Sequence, residues 1–195
     1  MTFLRTIGNG EAQPLVAGNG VFLRAPRFTD FDEWAALRNE SRSFLQPWEP
    51  TWPIDDLTRT AFRRRVRRYA EERRLEQSYA FFVFRQKDEA LVGGLTLSNL
   101  RRGVAQTCTL GYWMGRPYAG RGLMSAAVRA TIPFVFETLR LRRIEAACLP
   151  GNDSSIHLLE RVGFTREGLA RQYLCIDGRW QDHLLFAFLK GDPIR

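Results

Sequence analysis

A chain of 195 residues, 45% hydrophobic and 26% charged, matches the averages of folded globular domains and excludes collagen-like, low-complexity and wholly disordered chains. No apolar run approaches the roughly 20 residues that cross a bilayer, and Met1 to Gly20 lacks the charged, apolar, small-residue succession of a secretory leader. The cytosol is therefore the expected compartment, and no membrane partner is expected.

The formal charge of +8 points to an acidic partner: nucleic acid, a ribonucleoprotein, an anionic membrane or a phosphorylated cofactor. All but two of its 29 basic residues, Lys87 and Lys190, are arginines. Cys108, Cys148 and Cys175 are odd in number and have no histidine nearby, which argues against both a disulfide framework and a metal site.

Gly8 to Gly20 has no periodicity and reads, with the residues before it, as an irregular arm over 1–20, leaving 21–190 as a single domain. Val21 to Ala25 is strand-like. Thr29-Asp30 then caps a helix whose Phe31, Trp34, Ala35 and Leu37 share one face. Three prolines among aromatics in Phe44 to Pro53 exclude a regular helix and predict an ordered loop. Asp55-Asp56 precede an arginine-dense helix with Ala61, Phe62, Val66, Tyr69 and Ala70 on its apolar face.

Tyr79 to Arg85 and Leu91 to Asn99 form a hairpin pattern, and Thr107 to Met114 is a further strand. Leu123 to Leu139 has helical spacing with a kink expected at Pro133, and Arg143 to Cys148 is again strand-like. Asn152 to Ser155 caps a short helix that Gly163 ends, and Asp177-Gly178 turns a last hairpin. The order predicts an α/β fold on a mixed sheet.

The segment Arg116-Pro117-Tyr118-Ala119-Gly120-Arg121-Gly122-Leu123-Met124 joins a strand to a long helix. Its two glycines allow close backbone approach, and the helix start presents N–H groups at a positive dipole end, so the loop suits a phosphate. It lacks the Lys-Ser/Thr of a Walker loop, and Ser125 stands where a dinucleotide fingerprint has its third glycine.

Gly111-Tyr112-Trp113-Met114-Gly115, followed by that loop and by Pro150 to Ser155 with Leu159 to Phe164, resembles the GCN5-related N-acetyltransferase (GNAT) superfamily. Phe44 to Pro50 and Tyr173 to His183 are similar to RimJ-type ribosomal-protein alanine N-acetyltransferases. The resemblance implies a mostly antiparallel sheet, flanked by helices and splayed between the strands ending near Met114 and Leu149, with acetyl-CoA as cosubstrate and no metal. It places the pyrophosphate on Tyr118, Ala119, Gly120, Arg121, Gly122 and Leu123, and the pantetheine near Trp113 and Met114. One departure is Pro117, where such loops carry Gln or Arg.

Acetyl transfer to an amine needs a neutral nucleophile, oxyanion stabilisation and a proton for the departing thiolate. The tyrosine that such enzymes carry on the helix after the last cofactor strand is missing between Asp153 and Arg161, so Ser155 is the expected hydroxyl at the thiol and Asn152 the contact to the pantetheine or the oxyanion region. Glu49 is the candidate base, with Trp48 as an apolar wall, and Asp182 and His183 are the alternative bases. Tyr173, Asp182 and His183 are candidates for the acceptor pocket. The implied acceptor is a protein N-terminal α-amine, alanine of a ribosomal protein; a small-molecule amine is the alternative, and a basic RNA- or ribosome-binding module the third reading. Subunit number stays open.

Overall fold

The computed structural model describes residues 16–195. Eight strands form one sheet: β1 (Val16–Gly18), β2 (Val21–Arg24), β3 (Tyr79–Arg85), β4 (Leu91–Arg101), β5 (Thr107–Met114), β6 (Arg143–Cys148), β7 (Thr165–Ile176) and β8 (Arg179–Leu189). Their spatial order is β1-β2-β3-β4-β5-β6-β8-β7. Every neighbouring pair is antiparallel except β5 and β6, which are parallel. The fold is therefore mixed α/β, as the sequence pattern predicts, with the mostly antiparallel sheet that the resemblance implies.

β1 corrects the expected arm. Val16 is buried, and a Cβ built on Gly18 would meet Ala130 Cβ at 2.8 Å, so this short segment is packed where it pairs with β2. Three residues are too few for alternation to be read from sequence. The remainder of the expected arm, residues 1–15, lies outside the described residues.

Helices cover both faces. α1 (Phe31–Glu40), a single turn α2 (Arg42–Leu45) and α3 (Arg59–Arg74) lie on one side. There the Trp34 and Phe62 rings meet at 4.8 Å, tilted by 37°, and pack with Phe82, Phe84 and Leu91. α4 (Leu123–Pro133) and α5 (Asp153–Val162) cover the other side, over Leu95, Leu97, Leu110, Ile144 and Phe186.

The side-chain alternation of β5 divides its residues between these layers: Cys108, Leu110, Tyr112 and Met114 join the α4/α5 core, and Trp113 joins the α1/α3 core. Asp55 and Asp56 do not cap α3. Thr58 does so, its Oγ1 accepting the Ala61 N–H at 3.2 Å, while the two aspartates pair with Arg64 and Arg65. The expected helix to Leu139 instead ends at Pro133 and continues as a wider turn, in which the Leu139 N–H reaches the Phe134 carbonyl.

Candidate active site

β5 and β6 pair only from Thr107–Arg143 to Leu110–Ala146. Beyond that point Gly111 to Met114 stay with β4, while Ala147 and Cys148 stay with β8. The two halves of the sheet therefore part, leaving a wedge. No atom lies within 4 Å of a Cβ built on Gly111, at its edge.

The loop after β5 forms the mouth of the wedge. Arg116 to Tyr118 make a single helical turn, fixed because the buried Ser41 Oγ accepts the Arg116 N–H at 2.9 Å. Pro117 fits that turn, which needs no donor from it. Gly120 and Gly122 have φ of 72° and 74°, left-handed values that disfavour any side chain, and the space beside each is open.

The first bond inside α4 runs from the Ala126 N–H to the Gly122 carbonyl. The N–H groups of Leu123, Met124 and Ser125 are thus left without an intrahelical partner at the positive end of the helix. Arg121 and Arg116 are exposed beside them. Open glycines, free amides and two guanidinium groups fit a pyrophosphate.

Within the wedge Tyr112 Oη lies 2.6 Å from Ser155 Oγ, a bond joining β5 to α5 across the gap. Asn152 holds the helix start, its Oδ1 accepting the Ser155 N–H at 3.1 Å. Burial pushes the Tyr112 phenol well above its ordinary value, so it stays protonated. Burial also raises the nearby Cys148 thiol to about 11, against the lowering effect of its hydrogen bond with Ser155.

Sequence reasoning missed Tyr112. It sought a tyrosine on the helix, whereas the phenol comes from the strand; the available signal was alternation, which sends Tyr112 to the same face as Cys108 and Leu110.

The Pro-rich loop is ordered differently from a free wall. Glu49 is gripped by Arg38, both guanidinium nitrogens lying 2.7 Å from its two oxygens, and by the Trp52 indole N–H at 2.7 Å. Three of its roughly four lone-pair positions are thus filled. The Arg38 guanidinium lies between two indoles, 4.0 Å from the centre of the Trp52 ring and 4.9 Å from that of Trp113.

Trp113 itself lies over Gly94, where a Cβ would come within 2.4 Å of its Nε1. Trp48 is exposed. The loop is tied to the turn between β7 and β8: the Asp177 N–H donates to the Glu49 carbonyl at 3.0 Å, and Gln46 Nε2 to Asp177 Oδ1 at 3.2 Å.

Asp182 and His183 are neighbours on β8 and so point to opposite faces. Asp182 Oδ1 accepts the Gln172 N–H at 2.8 Å, supporting the irregular register of β7 between Ala170 and Leu174. His183 is buried, its Nδ1 3.0 Å from the Gln181 carbonyl and its ring edge-on to the exposed Tyr173 at 5.8 Å. The structure thus brings Tyr173 and His183 together and separates Asp182 from them. Among the described residues no group of His, Cys, Asp and Glu could hold a metal ion, and no helix is long and apolar enough to cross a membrane.

A mixed sheet parted between two parallel strands, with an anion-binding helix start at the opening, is the architecture of an acetyltransferase. Residues 21–165 match the model of the acetyltransferase (GNAT) domain, and the chain belongs to that family of enzymes. It is 34% identical to the probable N-acetyltransferase YjcK of Bacillus subtilis, over 91% of this chain and 98% of that protein. To the ribosomal protein uS5-alanine N-acetyltransferase of Escherichia coli it is 36% identical, over 84% of this chain and 85% of the other. Among solved structures it resembles Mycobacterium smegmatis RimJ in complex with CoA-disulfide, with a TM-score of 0.84 and 31% identity, covering 91% of this chain and 86% of that one.

Proposed function

We propose that residues 21–190 act as one catalytic domain that transfers the acetyl group of acetyl-CoA to a protein N-terminal α-amine, alanine of a ribosomal protein, in the cytoplasm. The observation that carries this reading is the wedge between Gly111–Met114 and Ala147–Cys148, with the Gly120–Gly122 loop at its mouth and the Tyr112–Ser155 hydroxyl pair across it. The likeness to the uS5-alanine enzyme supports the acceptor class.

Acetyl-CoA supplies an acetyl group already activated as a thioester. The amides of Gly120 to Ser125, with Tyr118, Ala119 and Arg121, hold the pyrophosphate; Met114, Trp113 and Asn152 flank the pantetheine arm. Ser155 Oγ delivers a proton to the departing thiolate and regains the one the attacking amine gives up, while the buried Tyr112 phenol, which stays protonated, holds that hydroxyl in place at 2.6 Å.

The acceptor needs little help to lose its own proton. An α-amine of pKa about 7.7–8.0 is roughly a tenth neutral at pH 7, whereas a lysine amine is neutral at only about one part in two thousand. This suits a site whose carboxylate, Glu49, already carries three donors. Glu49 then acts chiefly by fixing Arg38 and the two indoles that wall the acceptor site, with Trp48, Tyr173 and His183 on its rim and Asp182 holding β7 in shape.

Calorimetric titration with acetyl-CoA, followed by thiol release with an alanine-initiated peptide, the same peptide blocked at its N-terminus and a panel of small amines, tests the proposal. Tight binding with release only on the unblocked peptide is expected. Release with small amines alone would replace the acceptor, and failure to bind acetyl-CoA would overturn the reading of the loop.

A further inference from the structure

The side of α3 away from the wedge carries a second feature. Where β2 ends, Ala25, Pro26, Val66 and Ala70 floor a cavity of about 290 Å³. Two rings, Phe28 and Tyr69, and three arginines, Arg27, Arg67 and Arg73, complete its lining. The volume is at the small end of the range for ligand pockets, about 300–1,000 Å³, which suits one ring system rather than an extended molecule.

Its position is independent of the transfer site. None of its lining residues belongs to the wedge or to the anion loop, and it opens beside Val66 and Ala70 of α3, whereas Tyr112 lies on the α4/α5 face of the sheet.

The charges around α3 leave a specific remainder. Arg59 pairs with Asp32, Arg64 with Asp55, Arg65 with Asp56, Arg68 with Glu72 and Arg74 with Glu71. Every one of those carboxylates is thereby matched. Among the described residues no carboxylate pairs with Arg27, Arg63, Arg67 or Arg73, and Arg73 Nη1 is out of water with no hydrogen-bond partner.

Arg63 and Arg67, one turn apart, also line a shallower hollow with Thr60 and Arg64. Arg67 belongs to both depressions, so a basic track leads from the cavity along the helix. Phe28, half exposed, offers a ring face at its edge.

We propose that this cavity and track bind single-stranded RNA, one unstacked base entering between Phe28 and Tyr69 while neighbouring phosphates lie on Arg63, Arg67 and Arg73. An acidic peptide would satisfy the guanidinium groups but bring no flat ring to the apolar floor. A single-stranded nucleic acid brings a π-face and a phosphate with each residue, and aromatic stacking beside a basic groove is its usual mode of recognition. RNA rather than DNA follows from the ribosomal acceptor proposed above, and only that choice rests on it.

Fluorescence polarisation of a labelled RNA of about eight nucleotides, a length within the usual single-strand site size, against the full chain without acetyl-CoA tests the proposal. Three phosphate contacts on a single strand give a salt slope near −2, so affinity should fall about 20-fold between about 50 and about 200 mM salt. Arg67→Gln with Arg73→Gln should reduce that fall to about threefold. Phe28→Ala should weaken binding about tenfold at fixed salt without changing the slope.

Arg171→Gln, which removes one charge from β7, should leave affinity within about twofold, because a distant charge acts only through the screened net field. All these variants should keep their melting temperature and, where peptide-dependent thiol release is observed, that activity too. No binding at low salt, an unchanged slope in the double variant, equal binding of DNA of the same sequence, or tighter binding of an oligoglutamate peptide would each overturn the assignment.

Discussion

Replacing Glu49 by Gln separates two roles for this carboxylate. It is the counter-charge of Arg38, whose side chain is 7% exposed against 20% for Glu49. Removing one partner of a buried pair costs about 3–5 kcal/mol because the other charge is stranded. The partial exposure of Glu49 and the amide's remaining acceptor oxygen reduce this to about 2–4 kcal/mol. At about 2–4 °C per kcal/mol for a chain of this size, the melting temperature should fall by roughly 5–15 °C.

Arg38→Met should be similarly damaging. The double variant should be less damaged than the sum of the two, with a coupling of about 1–3 kcal/mol. Arg38→Lys should not rescue, since an ammonium cannot make the two-nitrogen fork or lie flat between the Trp52 and Trp113 rings. Thermal unfolding followed by circular dichroism, with thiol release on the same samples, measures both effects. A Glu49→Gln protein that melts within about 2 °C of the parent yet has lost turnover would refute the anchoring argument and make Glu49 the base; the threshold is about 1 kcal/mol or less.

Tyr112→Phe and Ser155→Ala should each lower kcat about 10- to 100-fold with acetyl-CoA affinity unchanged in calorimetry, and the double variant should be little worse than either, because the two hydroxyls act as one unit. Gly122→Ala places a side chain at φ 74°, so stability should fall by about 1 kcal/mol and acetyl-CoA binding should weaken; unchanged binding would show that the loop tolerates the strain. In thiol titration at pH 8, the exposed Cys175 should react fast and the buried Cys108 and Cys148 slowly. Burial raises Cys108 to about 12 and Cys148 to about 11, above the unfolded value of about 8.5. Their contribution to stability should therefore be intact below about pH 8.5 and be lost as pH rises through about 11 and 12, which alkaline denaturation would register.

The elements that sequence pattern revealed well are those set by local chemistry. The limits of β5 follow from its β-branched and aromatic residues, and the caps at Asn152 and Gly163 from side-chain and backbone requirements that act within a few residues. The glycine turn and helix start after β5 were legible for the same reason. What stayed hidden depends on partners distant in sequence. Nothing near Glu49 discloses that Arg38 will occupy both its oxygens, and Trp113 lies flat only because Gly94 on the neighbouring strand has no side chain. Tyr112 meets Ser155 across 43 positions, so a search confined to the helix could not find it.

The strap from the Gln46–Pro53 loop to the β7–β8 turn changes how the opening between the half-sheets works as a mechanical object. The parallel strands hold those halves together through four residue pairs at one end only, in the manner of a peg hinged at its base. At the far side, the bonds from Asp177 to Glu49 and from Gln46 to Asp177 tie the jaws from outside the sheet. The gape of the peg is therefore governed by a surface loop, whose outer residues Gln46 and Trp48 can vary while Glu49 and Trp52 stay fixed on Arg38. Breadth of acceptor choice can evolve there, one hydrogen bond at a time, while the thioester-handling side remains as it is.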